Sequence, residues 1–382
     1  MKTTYKLFAA IFSFLLLTVY SNVSADSSGI LLPQWQLKLD NSPFNRSPII
    51  HKDRAIVLQN KGDIVSISLE SGNEIWRKHS SIGYWERSLF ASNDNVYFGT
   101  KDSNFCSIEA STGRDVWCIQ LPKNMQRQPF VSEGSMYIVT AELGPGLRGD
   151  KTKGASIYSI NINTGSINWE AKSNNYAIQT PFAIGNRLYV AGSYDDPLVD
   201  IDEGGPVSVV ALDNKTGNLE WQYLSEDGFI KSVYATDKHL AFIGYQDFIN
   251  GLSTKDGKLL WRRDSGNWVP SISGFEDTIY YGSANTMVHA WNIANGKTIW
   301  QYNIQNGSFN YVLGAPIRIG DRIIFMSQKG WLIVLDANNG EEILNKKTDV
   351  VSRIGISTDG EWVIAGDITG VVSAYNIGSI TP

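Results

Sequence analysis

Short runs of β-branched and aromatic residues alternate with turn residues along the chain from residue 33 to its end. Residues 186–191 (Asn-Arg-Leu-Tyr-Val-Ala) and Val207–Asp213 are two examples, rich in β-branched and aromatic side chains and bounded by turn residues. Runs of this length, bounded by turn residues, are typical of β-strands. No sustained helical spacing of apolar residues follows the N-terminal segment, so the pattern predicts an all-β protein.

A glycine followed four residues later by a tryptophan recurs along these strands. The six intact pairs are Gly72 and Trp76, Gly113 and Trp117, Gly165 and Trp169, Gly217 and Trp221, Gly257 and Trp261, and Gly296 and Trp300. A seventh unit has Leu344 four residues after Gly340, and an eighth ends at Gly378, with consecutive glycines 38 to 52 residues apart. Four strands in a unit of this length predict one propeller blade, with the glycine in the last hairpin turn.

The eighth unit lacks its last strand, whereas residues 33–39 form a strand that has no blade of its own. We expect the two to pair, so that Trp35 occupies the missing tryptophan position and closes the ring. The prediction is therefore a single eight-bladed β-propeller of four-stranded antiparallel blades. Seven blades with a free N-terminal arm are the alternative. The seven tryptophans at this position are expected to pack each outer strand against its neighbour: Trp35, Trp76, Trp117, Trp169, Trp221, Trp261 and Trp300.

The N-terminal segment has the features of a signal peptide. Lys2 and Lys6 precede an apolar run over residues 7–20, and small residues lead to a cleavage site near Ala25. This divides the chain into a signal peptide (1–25), a short linker (26–32) and a propeller (33–382). The apolar run is too short to span a bilayer and no later segment is comparable, so we expect a periplasmic or secreted protein with no membrane span.

Charge argues against nucleic acid as a partner. Removing residues 1–25 leaves 31 basic and 38 acidic residues, a net charge of −7. The basic residues are spread singly among the strands and turns, whereas phosphate binding needs them clustered. We expect a monomer that does not bind nucleic acid.

The run Ala211-Leu212-Asp213, followed by Thr216-Gly217 and Trp221, resembles the pyrroloquinoline-quinone (PQQ)-like propeller repeat with its tryptophan-docking motif. The resemblance covers residues 33–378 and implies the propeller fold. Over the whole chain it is similar to the BamB family, the propeller lipoproteins of outer-membrane β-barrel assembly. That family carries a lipidated cysteine, and here the residue directly after the predicted cleavage site is Asp26.

Dehydrogenases of the same repeat family place two adjacent cysteines beside the quinone and bind calcium. Cys106 and Cys118 are not adjacent, and no segment matches a quinone or calcium site, so neither PQQ nor calcium is expected. The two cysteines are instead centred on the turn at Thr112, where they would face each other across a hairpin. In an exported protein this predicts a disulfide.

In blades three and four, a long loop connects the second strand to the third. The first, residues 142–154, is net basic and the second is acidic. Opposite charges could simply hold the loops together. The alternative is a calcium site formed by side chains of the acidic loop, and its candidates are Asp195, Asp196, Asp200, Asp202 and Glu203.

Aromatic and basic residues recur in the connections that lead from each blade to the next. Such rings either cap the core between blades or line a funnel that binds a partner. The candidates for partner binding are Tyr84, Trp85, Arg127, Tyr176, Phe229, Lys231, Trp268, Phe309, Tyr311 and Arg353. The sequence predicts a non-catalytic binding or scaffolding propeller, whose partner is an envelope protein or a polymeric ligand. A PQQ-dependent or sugar-active enzyme is the alternative.

Overall fold

Consecutive strands pair with their neighbours in sequence, so each repeat folds into one four-stranded antiparallel sheet. The computed structural model describes residues 17–19, 29–39, 47–59, 62–85, 88–125, 127–141, 155–173, 175–194, 207–225, 230–244, 247–305, 310–312, 314–350, 355–367 and 369–378. The predicted eight-bladed, all-β propeller is confirmed, and the seven-bladed alternative is wrong.

Two strands precede the first blade: β1 (Leu17–Val19) and β2 (Trp35–Lys38). Blade one contains β3 (Ile49–His51), β4 (Arg54–Leu58), β5 (Asp63–Ser68) and β6 (Glu74–His79). Blade two contains β7 (Phe90–Ser92), β8 (Asn95–Gly99), β9 (Asn104–Glu109) and β10 (Asp115–Gln120). Blade three contains β11 (Phe130–Ser132), β12 (Ser135–Ala141), β13 (Ala155–Asn161) and β14 (Ile167–Ser173). Blade four contains β16 (Phe182–Ile184), β17 (Arg187–Tyr194), β18 (Val207–Asp213) and β19 (Leu219–Ser225), and β15 (Asn175–Ile178) also pairs with β17.

The second half of the ring continues the pattern. Blade five contains β20 (Ser232–Ala235), β21 (His239–Ile243), β22 (Phe248–Ser253) and β23 (Leu259–Asp264). Blade six contains β24 (Ile272–Phe275), β25 (Thr278–Gly282), β26 (Met287–Asn292) and β27 (Thr298–Asn303). Blade seven contains β28 (Ile317–Ile319), β29 (Arg322–Met326), β30 (Trp331–Asp336) and β31 (Glu342–Lys347). Blade eight contains β32 (Ile356–Thr358), β33 (Trp362–Gly366) and β34 (Val371–Asn376), and β2 is its fourth strand.

The blades form a ring because each pair of neighbours shares an apolar core. Among the described residues there are eight such clusters, one for each interface between neighbouring blades. The first strands of adjacent blades contact one another, which places them around the central axis. The fourth strands lie at the outer rim. The core is therefore a belt between the blades, and the third strands, such as β5 and β9, are buried along most of their length because both of their faces pack against a neighbouring blade.

The ring closes through the N-terminal strand, as predicted. β2 pairs with β34, and Trp35 lies opposite Ala374. Trp35 and Leu37 are fully buried in the cluster that joins blade eight to blade one. Leu31, which the sequence analysis assigns to the linker, packs between blades seven and eight and forms a bridge with Thr348. In the full-length chain, β1 adds to the outer edge of β2.

The repeated tryptophan and glycine contact each other across the blade interface. Trp169 donates its indole N–H to the carbonyl of Asn214 in the next blade, at 3.0 Å, and its ring lies against Gly217 of the same turn. The other six docking tryptophans donate in the same way to Leu69, Ala110, Ile162, Thr254, Ile293 and Ala337. Six turn glycines therefore have two requirements, a turn of positive φ and space for the neighbouring indole ring: Gly113, Gly165, Gly217, Gly257, Gly296 and Gly340.

The requirement for a positive φ and the requirement for space beside the indole ring can be tested separately with two glycines of nearly the same backbone conformation. Gly217 has φ +73° and a Cβ there would lie 2.6 Å from the Trp169 ring, whereas Gly134 has φ +75° and open space around it. Gly134→Ala should cost about 1–2 kcal/mol for the left-handed backbone alone. Gly217→Ala should cost about 1–3 kcal/mol more, because the ring must move. Equal losses in urea unfolding of the two variants would contradict the role assigned to the ring contact.

Candidate functional site

One face of the ring collects the connections between blades, and we call it the funnel face. The connection into blade two meets the turn between that blade's second and third strands, where Tyr84 forms a bridge with Thr100. Met125 and Thr140 repeat this contact in blade three, and Val312 and Ser327 repeat it in blade seven. The glycine turns between third and fourth strands lie at the opposite ends of the strands. The connections between blades, which lead to the innermost strands, therefore converge around the axis on the funnel face.

Some of the predicted site residues lie outside the described residues. These are Phe229, Phe309 and Arg353 on the funnel face and Asp195, Asp196, Asp200, Asp202 and Glu203 of the acidic loop. Tyr176 lies in β15, which extends blade four beside β17. The partner-binding and calcium roles of these residues stay predictions.

Tyr84 belongs to the core and not to the binding surface. Its side chain is 5% exposed and its ring packs edge-on against Phe98, with centroids 4.9 Å apart. Burial raises the pKa of its hydroxyl to about 12. Of the two readings that the sequence left open for these aromatic residues, Tyr84 follows the one in which the ring caps the core.

Trp85 and Arg127 link neighbouring connections. The half-buried Trp85 donates its indole N–H to the Asn124 side chain at 3.1 Å. Arg127 donates to Gln179 at 3.2 Å, which ties the entry of blade three to that of blade four. Both residues therefore help to hold the funnel face in one arrangement.

Four residues from three connections and one turn meet on the funnel face, and we call them the Trp268 cluster: Lys231, Asp247, Trp268 and Tyr311. Lys231 is only 7% exposed and forms an ion pair with Asp247. Its ammonium group lies 5.8 Å from the centre of the Trp268 ring. Tyr311 meets the same ring edge to face, with centroids 6.0 Å apart. A charged pair thus supports an aromatic pair at the surface.

Trp268 has a fixed backbone and an exposed side chain. Its carbonyl accepts a hydrogen bond from Ala284 at 2.9 Å, and Val269, the next residue, donates to the Asp247 carboxylate at 3.2 Å. The indole ring is nevertheless 40% exposed. An aromatic ring held in place and partly exposed loses little conformational entropy on binding, which is the property of a protein-binding hot spot.

Sequence reasoning missed a row of aromatic rings on the innermost strands. Phe130, Phe182 and Tyr234 lie on the first strands of blades three, four and five, and consecutive rings are 4.9 and 5.5 Å apart. The signal was present in the sequence, since Phe130 and Phe182 both follow a proline that starts the inner strand. These rings contact one another between the innermost strands and pack against the cores between blades.

The two cysteines lie on the two outer strands of blade two. Cys106 and Cys118 face each other across β9 and β10 and form the predicted disulfide, with Cα atoms 4.1 Å apart. β10 is an outer strand, so this pair does not fit a site beside an axial cofactor. No group of three or more His, Cys, Asp or Glu side chains that could hold a metal occurs among the described residues. Nor does any helix in that part have the length and apolar character needed to span a membrane.

The proteins similar to this chain include BamB assembly factors and a quinohemoprotein alcohol dehydrogenase. BamB of Moranella endobia is 24% identical over 355 residues, which cover 86% of this chain and 84% of that protein. The crystal structure of BamB from Moraxella catarrhalis aligns with a TM-score of 0.64 at 16% identity, over 94% of this chain and all of that one. The quinohemoprotein alcohol dehydrogenase ADH IIB of Pseudomonas putida is 22% identical over 82% of this chain but only 43% of its own length.

The match to a family profile covers most of the propeller. The profile described as outer membrane protein assembly factor BamB matches residues 60–183 and 156–379, which together run from the third strand of blade one to β34 of blade eight. With eight docked blades and a ring closed by its N-terminal strand, this chain belongs to the BamB family of PQQ-like propellers.

Proposed function

We propose that this protein is a non-catalytic scaffold of the bacterial envelope that takes part in outer membrane protein assembly. Membership of the BamB family supports the assembly role. The predicted signal peptide supports a location in the periplasm. Among the described residues, the cysteine pair does not favour the enzyme alternative, because it lies at the rim and is joined in a disulfide.

The Trp268 cluster is the observation that carries the proposed docking site. Its ring is exposed, its backbone is fixed, and the cation beneath it is already paired with Asp247. A partner that covers this ring gains apolar contact without breaking the ion pair. The partner we propose is another protein of the assembly machinery, which would dock on the funnel face through an apolar or aromatic side chain.

Photocrosslinking in living cells tests this proposal. p-Benzoylphenylalanine is placed at position 268, and as a matched control at position 275. Phe275 is an aromatic residue in blade six with 41% exposure, at the end of β24 that lies away from the funnel face. We expect an adduct with an envelope assembly protein from position 268 and none from position 275. Adducts of equal yield from both positions, or none from either, would refute docking on the funnel face.

A further inference from the structure

Six blades share one turn position on the funnel face, the residue directly before the third strand. In each of these blades it has φ between +62° and +92°, and its carbonyl accepts a hydrogen bond from the backbone N–H directly after the fourth strand of the same blade. Glycine adopts such a left-handed conformation at the lowest cost. The residues at this position are Gly62, Ser103, Asp247, Thr286, Gly330 and Gly370. Three of the six are therefore not the residue that the backbone favours.

Two of the glycines leave no room for a side chain. A Cβ at Gly62 would lie 2.4 Å from the carbonyl oxygen of Ser80, and one at Gly330 would lie 2.0 Å from that of Val350. In blades one and seven the connection to the next blade thus passes directly over the turn. Blades two, five and six have a larger residue at this position, so their connections must follow a path that leaves room for it.

In blades two and six this side chain bonds to the end of its own blade. The Ser103 hydroxyl donates to the side-chain oxygen of Asn124 at 2.6 Å, and the same oxygen accepts the indole N–H of Trp85 at 3.1 Å. The Thr286 hydroxyl donates to the side chain of Asn303, the last residue of β27, at 3.2 Å. A side chain at this turn position therefore holds the segment that leads out of its blade.

In blade five, Asp247 holds the segment that carries Trp268 at both of its ends. The Asp247 carbonyl accepts hydrogen bonds from the backbone N–H of Ser265 at 3.1 Å and from the Ser265 hydroxyl at 2.6 Å. The carboxylate accepts the backbone N–H of Val269 at 3.2 Å and pairs with the ammonium group of Lys231. One residue thus fixes the positions before and after Trp268 as well as the cation beneath its ring.

The left-handed backbone of Asp247 indicates which of these contacts matter. Aspartate is among the residues that tolerate φ near +60°, but glycine would form the same turn and the same carbonyl bonds with less strain. A residue kept in such a conformation points to a role for its side chain. Only the carboxylate supplies the bond to Val269 and the pairing with Lys231.

We infer that Asp247 is the positioning residue of the docking site, which rests on the proposed function. It holds the segment 265–269 in one conformation, so that the Trp268 ring is ordered before a partner binds. It also neutralises Lys231, whose side chain is only 7% exposed, so that this cation presents no unpaired charge to the partner. The site therefore fits an uncharged, apolar side chain of the partner.

Hydrogen–deuterium exchange of the free protein tests the positioning role without a partner. Asp247→Gly keeps the left-handed turn and the carbonyl but removes the carboxylate. The backbone amide of Val269 should therefore exchange at least tenfold faster, measured by mass spectrometry of peptides that contain it. Thr286→Gly is the matched control, because it makes the same kind of change at the same turn position of blade six. It should leave the exchange of Val269 unchanged.

The Kd for the protein that photocrosslinks to position 268 then connects positioning with docking. Asp247→Gly should raise this Kd at least tenfold although Trp268 is still present, whereas Thr286→Gly should leave it unchanged. Asp247→Asn should raise it less than threefold, because the amide oxygen can still accept the Val269 N–H and asparagine tolerates the left-handed backbone. Rescue by asparagine is not expected if the aspartate merely adds stability through its charge.

A second variant covers the case in which Asp247→Gly folds poorly because Lys231 loses this ion pair. Combining it with Lys231→Met removes the cation, and the double variant should show the same fast exchange of Val269. Exchange of Val269 at the parent rate would overturn the inference, as would an unchanged Kd for Asp247→Gly when Trp268→Ala raises the Kd. If Trp268→Ala also leaves the Kd unchanged, the proposed function fails and the inference fails with it.

Discussion

Replacing Trp35 with alanine is expected to lower the free energy of unfolding of the ring by about 3–5 kcal/mol, the range for removing a fully buried large aromatic side chain. Trp35 has no exposed surface, and its indole N–H donates to the carbonyl of Leu69 at 2.5 Å. It packs against Ala55 and Val57 of blade one from a strand that belongs to blade eight. Its loss therefore weakens the contact that holds the two ends of the chain together.

Trp76 provides a matched control for this effect. It makes the same kind of bond, to Ala110 at 2.8 Å, but it is half-buried and lies within a continuous part of the chain. Trp76→Ala should cost less, whereas deletion of residues 33–39 should cost more than Trp35→Ala and expose the strand edge of β34. Urea unfolding followed by circular dichroism measures all three. A deletion variant that melts like the intact protein would refute closure by the N-terminal strand.

Stability should fall by about 2 kcal/mol between pH 7 and pH 5 because of His289. Burial lowers the pKa of its imidazole to about 4, against about 6.5 in the unfolded chain. In this window the unfolded state binds a proton that the folded state does not, so the stability present above pH 6.5 is lost progressively toward pH 4. Protonating the folded protein would place a charge between blades five and six, beside Tyr281 and Trp291.

Two aromatic substitutions isolate this contribution. His289→Phe retains a ring stacked on Tyr281, at a present centroid distance of 4.6 Å, and should remove this part of the pH dependence. Tyr281→Phe removes only a buried hydroxyl that has no hydrogen-bond partner among the described residues, and it should keep the dependence. Urea unfolding at pH 7, 6 and 5 gives the slopes. If His289→Phe loses stability with pH as steeply as the parent protein, the buried imidazole is not the cause.

The repeat allowed the fold to be predicted because its chemistry is local. A glycine in a tight turn and a tryptophan four residues later mark each hairpin, and counting the strands left over predicts how the ring closes. The second requirement on Gly217 was not visible in this way. The ring that contacts it belongs to Trp169 of the preceding blade, 48 residues earlier in the chain, so it depends on how blades dock.

The candidate site was harder to predict for a related reason. Tyr84 and Trp268 both lie in connections between blades, but Phe98 lies beneath the first ring while the second remains exposed. Lys231 was expected at the surface, yet Asp247 from a neighbouring turn holds it beneath Trp268. Whether a side chain binds a partner or caps the core is thus decided by residues that are close in space but distant in sequence.

The affinity of the crosslinked partner for purified protein tests the central claim most directly. If the funnel face is the docking surface, Trp268→Ala should lose on the order of 2 kcal/mol of binding free energy, about a 30-fold rise in Kd, as truncation of a hot-spot aromatic does. Phe275→Ala, on the other face of blade six, should leave the Kd unchanged. An unchanged Kd for a Trp268→Ala variant that melts like the parent protein would contradict the claim.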